Sequence, residues 1–122
     1  MNNKKLTLAI DFDGTITKES SYPELGEVNP NAIKYINKLH KEGYFIIINT
    51  CRSGSKFEEA KSFLYRYGIK HHLINENDPE RIKKYGTDTR KISADIYIDD
   101  NNLGKMFTWK KIYRLIHKQT NE

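Results

Sequence analysis

The sequence predicts an α/β protein, a three-layer α/β/α sandwich around a mainly parallel sheet. Four short apolar runs, 6–10, 44–48, 72–74 and 96–98, are rich in branched residues or tyrosine and alternate with helical segments. The first two runs lack the polar alternation of a sheet wetted on one face, so both faces are expected to be covered. Alternating strands and helices joined by right-handed crossovers place helices on the two faces of a parallel sheet. With 122 residues the chain is sized for one domain, 1–122, and is too short for two ordinary ones.

Each element has a local reason. Leu6 to Ile10 reads as the first strand, and Ile16 to Val28 follows as a long connection holding Ser20, Ser21, Pro23 and Gly26. An ordered connection of that length beside a strand end is often functional, so 16–28 is expected to form a flap-like loop. Asn29 caps and Pro30 opens a helix that turns Ile33, Ile36 and Leu39 inward and stops at Gly43. Tyr44 to Ile48 is the second strand. Ser55 and Glu58 have the spacing of a capping box for a second helix, with Phe57, Ala60, Phe63, Leu64 and Tyr67 at helical spacing before Gly68. His72 to Ile74 is the third strand, Asp78-Pro79 starts a short helix running to Tyr85-Gly86, and Ile96 to Ile98 is the fourth strand. Thr108 caps a last helix with Trp109, Ile112, Tyr113 and Ile116 on one core-facing side. The sequence contains no internal repeat or low-complexity tract.

The composition, 37% hydrophobic and 30% charged, fits a soluble globular protein. No apolar run approaches the roughly 20 residues of a membrane span, and Met1 to Lys5 leads into a strand-like stretch instead of a signal peptide. Cys51 is the single cysteine and has no partner for an internal disulfide, so a reduced thiol and the cytoplasm are expected. The net charge of +5 favours anionic partners. Nucleic-acid binding does not follow from it, because the basic residues are spread through helical patterns as solvated faces are.

Asp11, Thr50 and the pair Asp99-Asp100 each follow a predicted strand. Carboxyl ends of parallel strands are where open α/β sheets bind ligands, above all where the strand order reverses. If strands two and three lie to one side of strand one and strand four to the other, Asp11 and Asp99 share that switch point. A cleft holding Asp11, Asp13, Asp99 and Asp100 concentrates negative charge and calls for a cation. An all-oxygen set suits Mg²⁺, whereas zinc would favour converging His and Cys. His71-His72 makes a poor metal pair, since neighbouring strand residues point to opposite faces, and a structural role is expected for both.

Such a cleft suits phosphoryl chemistry. Hydrolysis of a phosphate monoester needs accelerations of up to ~10²¹-fold, so a nucleophile, an acid/base, oxygen-binding groups and a metal must act together. The residues also carry a resemblance. Asp11-Phe12-Asp13-Gly14-Thr15 resembles the first motif of the haloacid dehalogenase superfamily, Asn49-Thr50-Cys51-Arg52 the second, Lys91 the lysine of the third, and Ile98-Asp99-Asp100 the fourth. The resemblance implies a Rossmann-like fold and a phosphatase in which Asp11 attacks phosphorus to form an aspartyl-phosphate. Asp13 would then protonate the leaving oxygen and activate water, and Thr50 and Lys91 would hold phosphate oxygens. It implies Mg²⁺ bound by Asp11, the main-chain carbonyl of Asp13, Asp99 and Asp100, the last directly or through water. Dehalogenases of the superfamily lack the second acid, so Asp13 favours phosphate over carbon–halogen cleavage.

Two cations carry alternatives. Lys83, Lys84 and Arg90 lie near Lys91 and could replace it, and Arg52 could bind substrate or pair with a carboxylate. Neither 16–28 nor 75–90 is long enough for a folded cap, so the resemblance implies a capless, open site. Capless members act on large phosphorylated substrates such as nucleic-acid ends or phosphoproteins, or close the site with a neighbouring subunit in a homo-oligomer. The basic balance leans towards a nucleotide or polynucleotide phosphate, with a sugar phosphate also open. The alternatives to hydrolysis are a phosphate-binding or phospho-accepting regulatory module without turnover, phosphotransfer to an alcohol, and an inactive scaffold.

Overall fold

Four strands, β1 (Thr7–Asp11), β2 (Phe45–Asn49), β3 (Leu73–Ile74) and β4 (Ile96–Ile98), form one sheet in the order β3-β2-β1-β4. Every neighbouring pair is parallel. The computed structural model describes residues 5–104 and 106–120; Met1 to Lys4, expected to lead into the first strand, lie outside them. The order reverses between β1 and β4, so these two strands flank the switch point that the sequence led us to expect. Ile10 pairs with both Ile48 and Ile98, and Ile48 pairs with Ile74. One row of isoleucines therefore crosses the sheet just before the carboxyl ends, and Asp11, Asn49, Asn75 and Asp99 are the residues that follow it.

The helices are α1 (Pro30–Lys41), α2 (Gly54–Arg66), α3 (Pro79–Tyr85) and α4 (Trp109–Thr120). Asn29 accepts from the Asn31 N–H at 3.0 Å, and the basic side chains of Lys38, His40 and Lys41 sit in the last turn of α1, where the helix dipole favours them. Asp78 caps α3 by accepting from the Glu80 N–H, and Thr108 accepts from the Lys111 N–H at the start of α4. The expected Ser55–Glu58 capping box is not formed. The helix begins two residues earlier, with Ser53 extended at its N-cap, so Ser55 already lies in the first turn and Glu58 reaches Lys61 at 3.8 Å instead. Tyr67 is likewise 37% exposed, because α2 ends before it, although its ring still lies against Phe63.

The sandwich is lopsided. Leu8, Ile10, Ile46, Ile48 and Ile98 form one cluster with Ile36 and Leu39 of α1, Phe63 and Leu64 of α2, and Trp109 and Ile116 of α4. On the other face Ala9 and Ile47 are covered by Ile92, with Phe45, Leu73 and Ala94 around them. The crossovers β1-α1-β2 and β2-α2-β3 run in one direction and so share a face, whereas the return to β4 must pass over the other. That return is short. The helix within it, α3, buries no residue and is tied to the chain ahead of β4 by Arg81, which donates to Ser93 and pairs with Asp95. The last helix docks beside α1: the Tyr113 hydroxyl donates to Glu42 at 2.7 Å, and His117 also reaches Glu42, at 3.1 Å. The fully enclosed Trp109 indole donates to the Thr15 carbonyl at 3.0 Å, fixing α4 to the turn that follows β1. No helix among the described residues is long and apolar enough to cross a membrane.

Candidate functional site

The register decides the first part of the site. Because Ile10 and Ile98 are partners, Asp11 and Asp99 emerge side by side, and the turn after Asp99 brings in Asp100. One carboxylate oxygen from each of the three lies within 4.8 Å of the others. Asp99 also accepts from the Asn101 N–H at 2.9 Å, which fixes the turn. Asp100 Oδ1 is buried with no hydrogen-bond partner among the described residues. Gly14, at φ +80°, lies so close that a Cβ there would fall 2.1 Å from Asp100 Oδ2. A glycine is thus needed twice over, for the left-handed backbone and for the approach of the carboxylate.

Three carboxylates this close cannot all be comfortable as anions. Burial first, and then the charges of Asp99, Asp100 and Asp13, push the Asp11 carboxyl from 3.8 up to about 8. Burial also pushes Asp100 up. The Thr15 hydroxyl reaches Asp11 Oδ2 as a neutral donor at 3.4 Å. An orphaned buried oxygen, a cradle closed by a glycine and an all-oxygen donor set together fit a hard divalent cation.

Asp13 meets a different environment. Arg52 donates to both of its carboxylate oxygens, from Nε at 2.8 Å and from Nη2 at 2.7 Å. The Arg52 side chain is wholly enclosed and that of Asp13 is 16% exposed. Arg52 also donates from Nη1 to the Pro23 carbonyl, at 3.2 Å, and from Nη2 to the Glu24 carbonyl, at 2.8 Å. Of the two roles open to Arg52, the structure displays the pairing with a carboxylate; its guanidinium is spent inside the protein. The segment it holds is a short antiparallel loop: Thr17 bridges Val28, and Lys18 N–H donates to the Glu27 carbonyl at 2.8 Å.

Thr50 follows β2 as expected. Its hydroxyl accepts from the Arg52 N–H at 3.1 Å, which leaves the hydroxyl proton to give. Asn75 clamps its main chain, accepting from the Thr50 N–H and donating to the Thr50 carbonyl, both at 2.8 Å. Lys91 is not brought to the acidic cluster. Its ammonium lies 4.8 Å from the centre of the Tyr97 ring, in solvent, and among the described residues no hydrogen bond or ion pair joins it to Asp11, Asp99 or Asp100. Its main chain is held firmly, however: the Asn77 amide donates to the carbonyls of Thr89 and Lys91 and accepts from the Ser93 N–H. The neighbouring cations Lys83, Lys84 and Arg90 are exposed.

A solved structure of a conserved protein from Bacteroides thetaiotaomicron matches this one with a TM-score of 0.84. Sequence identity is 34%, over 95% of this chain and 93% of that one. The chain belongs to that protein's family. The Bacteroides relative shares the parallel α/β architecture over nearly the whole length, so the frame that carries the site is common to both. Neither a protein-family model nor a curated protein matches the chain. The chemistry therefore has to be read from the residues.

Sequence reasoning missed Asn75 and Asn77. A signal for Asn75 existed, since it follows β3 as Asp11 follows the isoleucine row in β1, but an asparagine after a two-residue strand also reads as an ordinary turn. The histidines behave as structural groups. His72 stacks between His40 and Phe45 and accepts the Ile46 N–H on Nδ1, while His71 meets the Ile69 carbonyl. An apolar groove of about 310 Å³ runs along the free edge of β4 between Tyr97, Met106, Phe107 and Leu115, touching the site only at Asp99.

Proposed function

We propose that this protein is a Mg²⁺-dependent phosphomonoester hydrolase of the haloacid dehalogenase kind that passes the phosphoryl group through Asp11. The observation that carries this reading is the cluster of Asp11, Asp99 and Asp100, one oxygen of each within 4.8 Å of the others, with a buried Asp100 oxygen that has no hydrogen-bond partner among the described residues. These three carboxylates and the main-chain carbonyl of Asp13 would hold the cation, whose charge lets an anionic phosphate approach anionic side chains.

An Asp11 oxygen forms a bond to phosphorus while the bond to the leaving oxygen breaks, and Asp13, with one oxygen let go by Arg52 and carrying a proton, gives that proton to the leaving oxygen. Asp13 then takes a proton from water, the water oxygen bonds to phosphorus, and the bond to Asp11 breaks. Thr50, with its hydroxyl proton free to give, holds a phosphate oxygen. Lys91 joins it after leaving the face of Tyr97. Neither 16–28 nor 75–90 is long enough for a folded cap, so a large phosphorylated substrate can reach the site, and the net charge of +5 favours a nucleotide or polynucleotide phosphate. The exposed, unpaired Cys51 fits a reducing compartment, so the cytoplasm is the proposed location.

Phosphate release from an aryl phosphate, measured with Mg²⁺ and with a chelator, tests the reading. Activity is expected only with the metal, and Asp11→Asn is expected to abolish it; metal-independent release, or a fully active variant, would overturn it. One observation favours a second reading. Both Asp13 oxygens are engaged by Arg52, so a protein in which the fork never lets one of them go would form phospho-Asp11 without hydrolysing it, as a phospho-accepting regulatory module does. Mass spectrometry of the protein after treatment with a small phosphodonor separates the two: a persistent phosphoryl adduct with negligible phosphate release supports the module.

A further inference from the structure

We infer that Arg52 is a positioning residue that joins the 16–28 segment to Asp13, so that the proton donor is aimed only while that segment is folded against the guanidinium. The inference rests on reading Asp13 as the acid of the proposed reaction. The joint itself rests on geometry alone.

All three guanidinium nitrogens are engaged. Nε and Nη2 grip the two oxygens of Asp13 at 2.8 and 2.7 Å, while Nη1 and Nη2 reach the carbonyls of Pro23 and Glu24 at 3.2 and 2.8 Å. Two rings lie near it, with Phe12 at 5.6 Å and Tyr22 at 5.2 Å from the central carbon. Phe12 stands next to Asp13 on the turn after β1, and Tyr22 stands at the tip of the 16–28 segment. One planar group thus holds the acid and the tip of the loop at once. At that tip residues 20–24 are exposed, the Glu24 N–H turns back to Ser21 inside the tip, and the carbonyls of Pro23 and Glu24 meet the protein body at Arg52.

The chemistry of the two partners explains why arginine stands here. A guanidinium is planar and always charged and presents a fork that fixes both the place and the plane of a carboxylate. A lysine would place one mobile charge there and fix neither. Because the side chain is wholly enclosed, it is spent on this joint and not on substrate. The coupling is reciprocal: loosening the loop frees the fork, and removing Asp13 removes one of the two anchors that hold Arg52 against the loop.

The test uses two phosphate esters and hydrogen exchange. An aryl ester such as p-nitrophenyl phosphate departs with little help from an acid, whereas an alkyl ester such as glycerol phosphate needs a proton. General acid catalysis contributes about 10²–10⁴-fold, so Arg52→Ala is expected to slow the alkyl ester about 10²-fold more than the aryl ester. Asp13→Ala is expected to show the same selectivity, and the double variant to be no more selective than Asp13→Ala. Arg52→Lys, which keeps charge and most of the stem, is expected to show a smaller loss of the same kind and serves if Arg52→Ala does not fold. Amide exchange across 16–28 is expected to quicken in both Arg52→Ala and Asp13→Ala. Equal slowing of the two esters, or unchanged exchange across 16–28, would overturn the inference. If the unaltered protein hydrolyses neither ester with Mg²⁺, the hydrolase reading fails on its own, and exchange alone decides whether Arg52 is the joint.

Discussion

Asp11 and Asp13 stand two residues apart, yet the protein surrounds them in opposite ways. Asp11 faces two further carboxylates and is pushed up to about 8, while Asp13 is gripped on both oxygens by a buried arginine. The difference teaches that the turn after β1 sorts two identical side chains by what the rest of the fold brings to each. β4 delivers like charge to the first, and the turn after β2 delivers a cation to the second. One side of the site gathers like charges and leaves a buried Asp100 oxygen without a hydrogen-bond partner among the described residues; the other pairs its charge within the chain.

The comparison breaks most sharply if the acidic side loses a charge. Asp100→Asn is expected to lower Mg²⁺ affinity by at least the ~10–100-fold that loss of an outer-shell partner costs, and calorimetric titration measures it. The metal-free variant should also melt above the unaltered protein, since one like charge is gone. Next in size, Gly14→Ala forces a Cβ to within 2.1 Å of Asp100 Oδ2 at a φ of +80°. A loss of about 1–3 kcal/mol in stability is expected from backbone strain of this kind, read by denaturant unfolding, together with weaker Mg²⁺ binding.

The pH dependence sharpens the same contrast. The folded protein raises the Asp11 carboxyl from 3.8 to about 8, so it keeps a proton that the unfolded chain releases between those values. Folding therefore takes up a proton in that window, and the metal-free protein is expected to lose stability as pH rises through it. Asp11→Asn should lack this slope, so its melting temperature gains on that of the unaltered protein from about pH 4 to about pH 8. Bound Mg²⁺ favours the ionised form and should abolish the difference in slope. A Tm series with chelator and with Mg²⁺ checks both. The smallest effect is expected at Asn75. Asn75→Ala removes two hydrogen bonds to the Thr50 main chain, at about 0.5–1.5 kcal/mol each. It should raise KM for the aryl phosphate more than it lowers kcat, as steady-state kinetics would read.

Much of the frame was legible in advance because its signals are local. Asn29 and Asp78 cap the helices expected of them, and the apolar runs mark β1 and β2 to within a residue. Ser55 and Glu58 misled because a capping box depends on where the preceding turn hands over to the helix. Here Thr50 and Arg52 close that turn earlier, and the helix starts at Gly54. Lys91 shows the limit for a long side chain: its main chain is fixed by Asn77, but an exposed ammonium settles over the nearest aromatic face.

By itself the sequence determined the alternation of strands and helices, the caps of α1 and α3, and the placing of Asp11, Thr50 and Asp99 at strand ends. These follow from periodicity and from bonds between near neighbours. Only the tertiary structure decided that Asp100 would lie against Gly14, that the second face of the sheet would be thin, and that Asp13 would belong to Arg52. Those partners are far apart along the chain, 39 residues in the last case, and no local rule chooses among the available cations. Sheet register and the turns at the strand ends make that choice, because a planar fork binds a carboxylate only where backbone geometry presents the two in line.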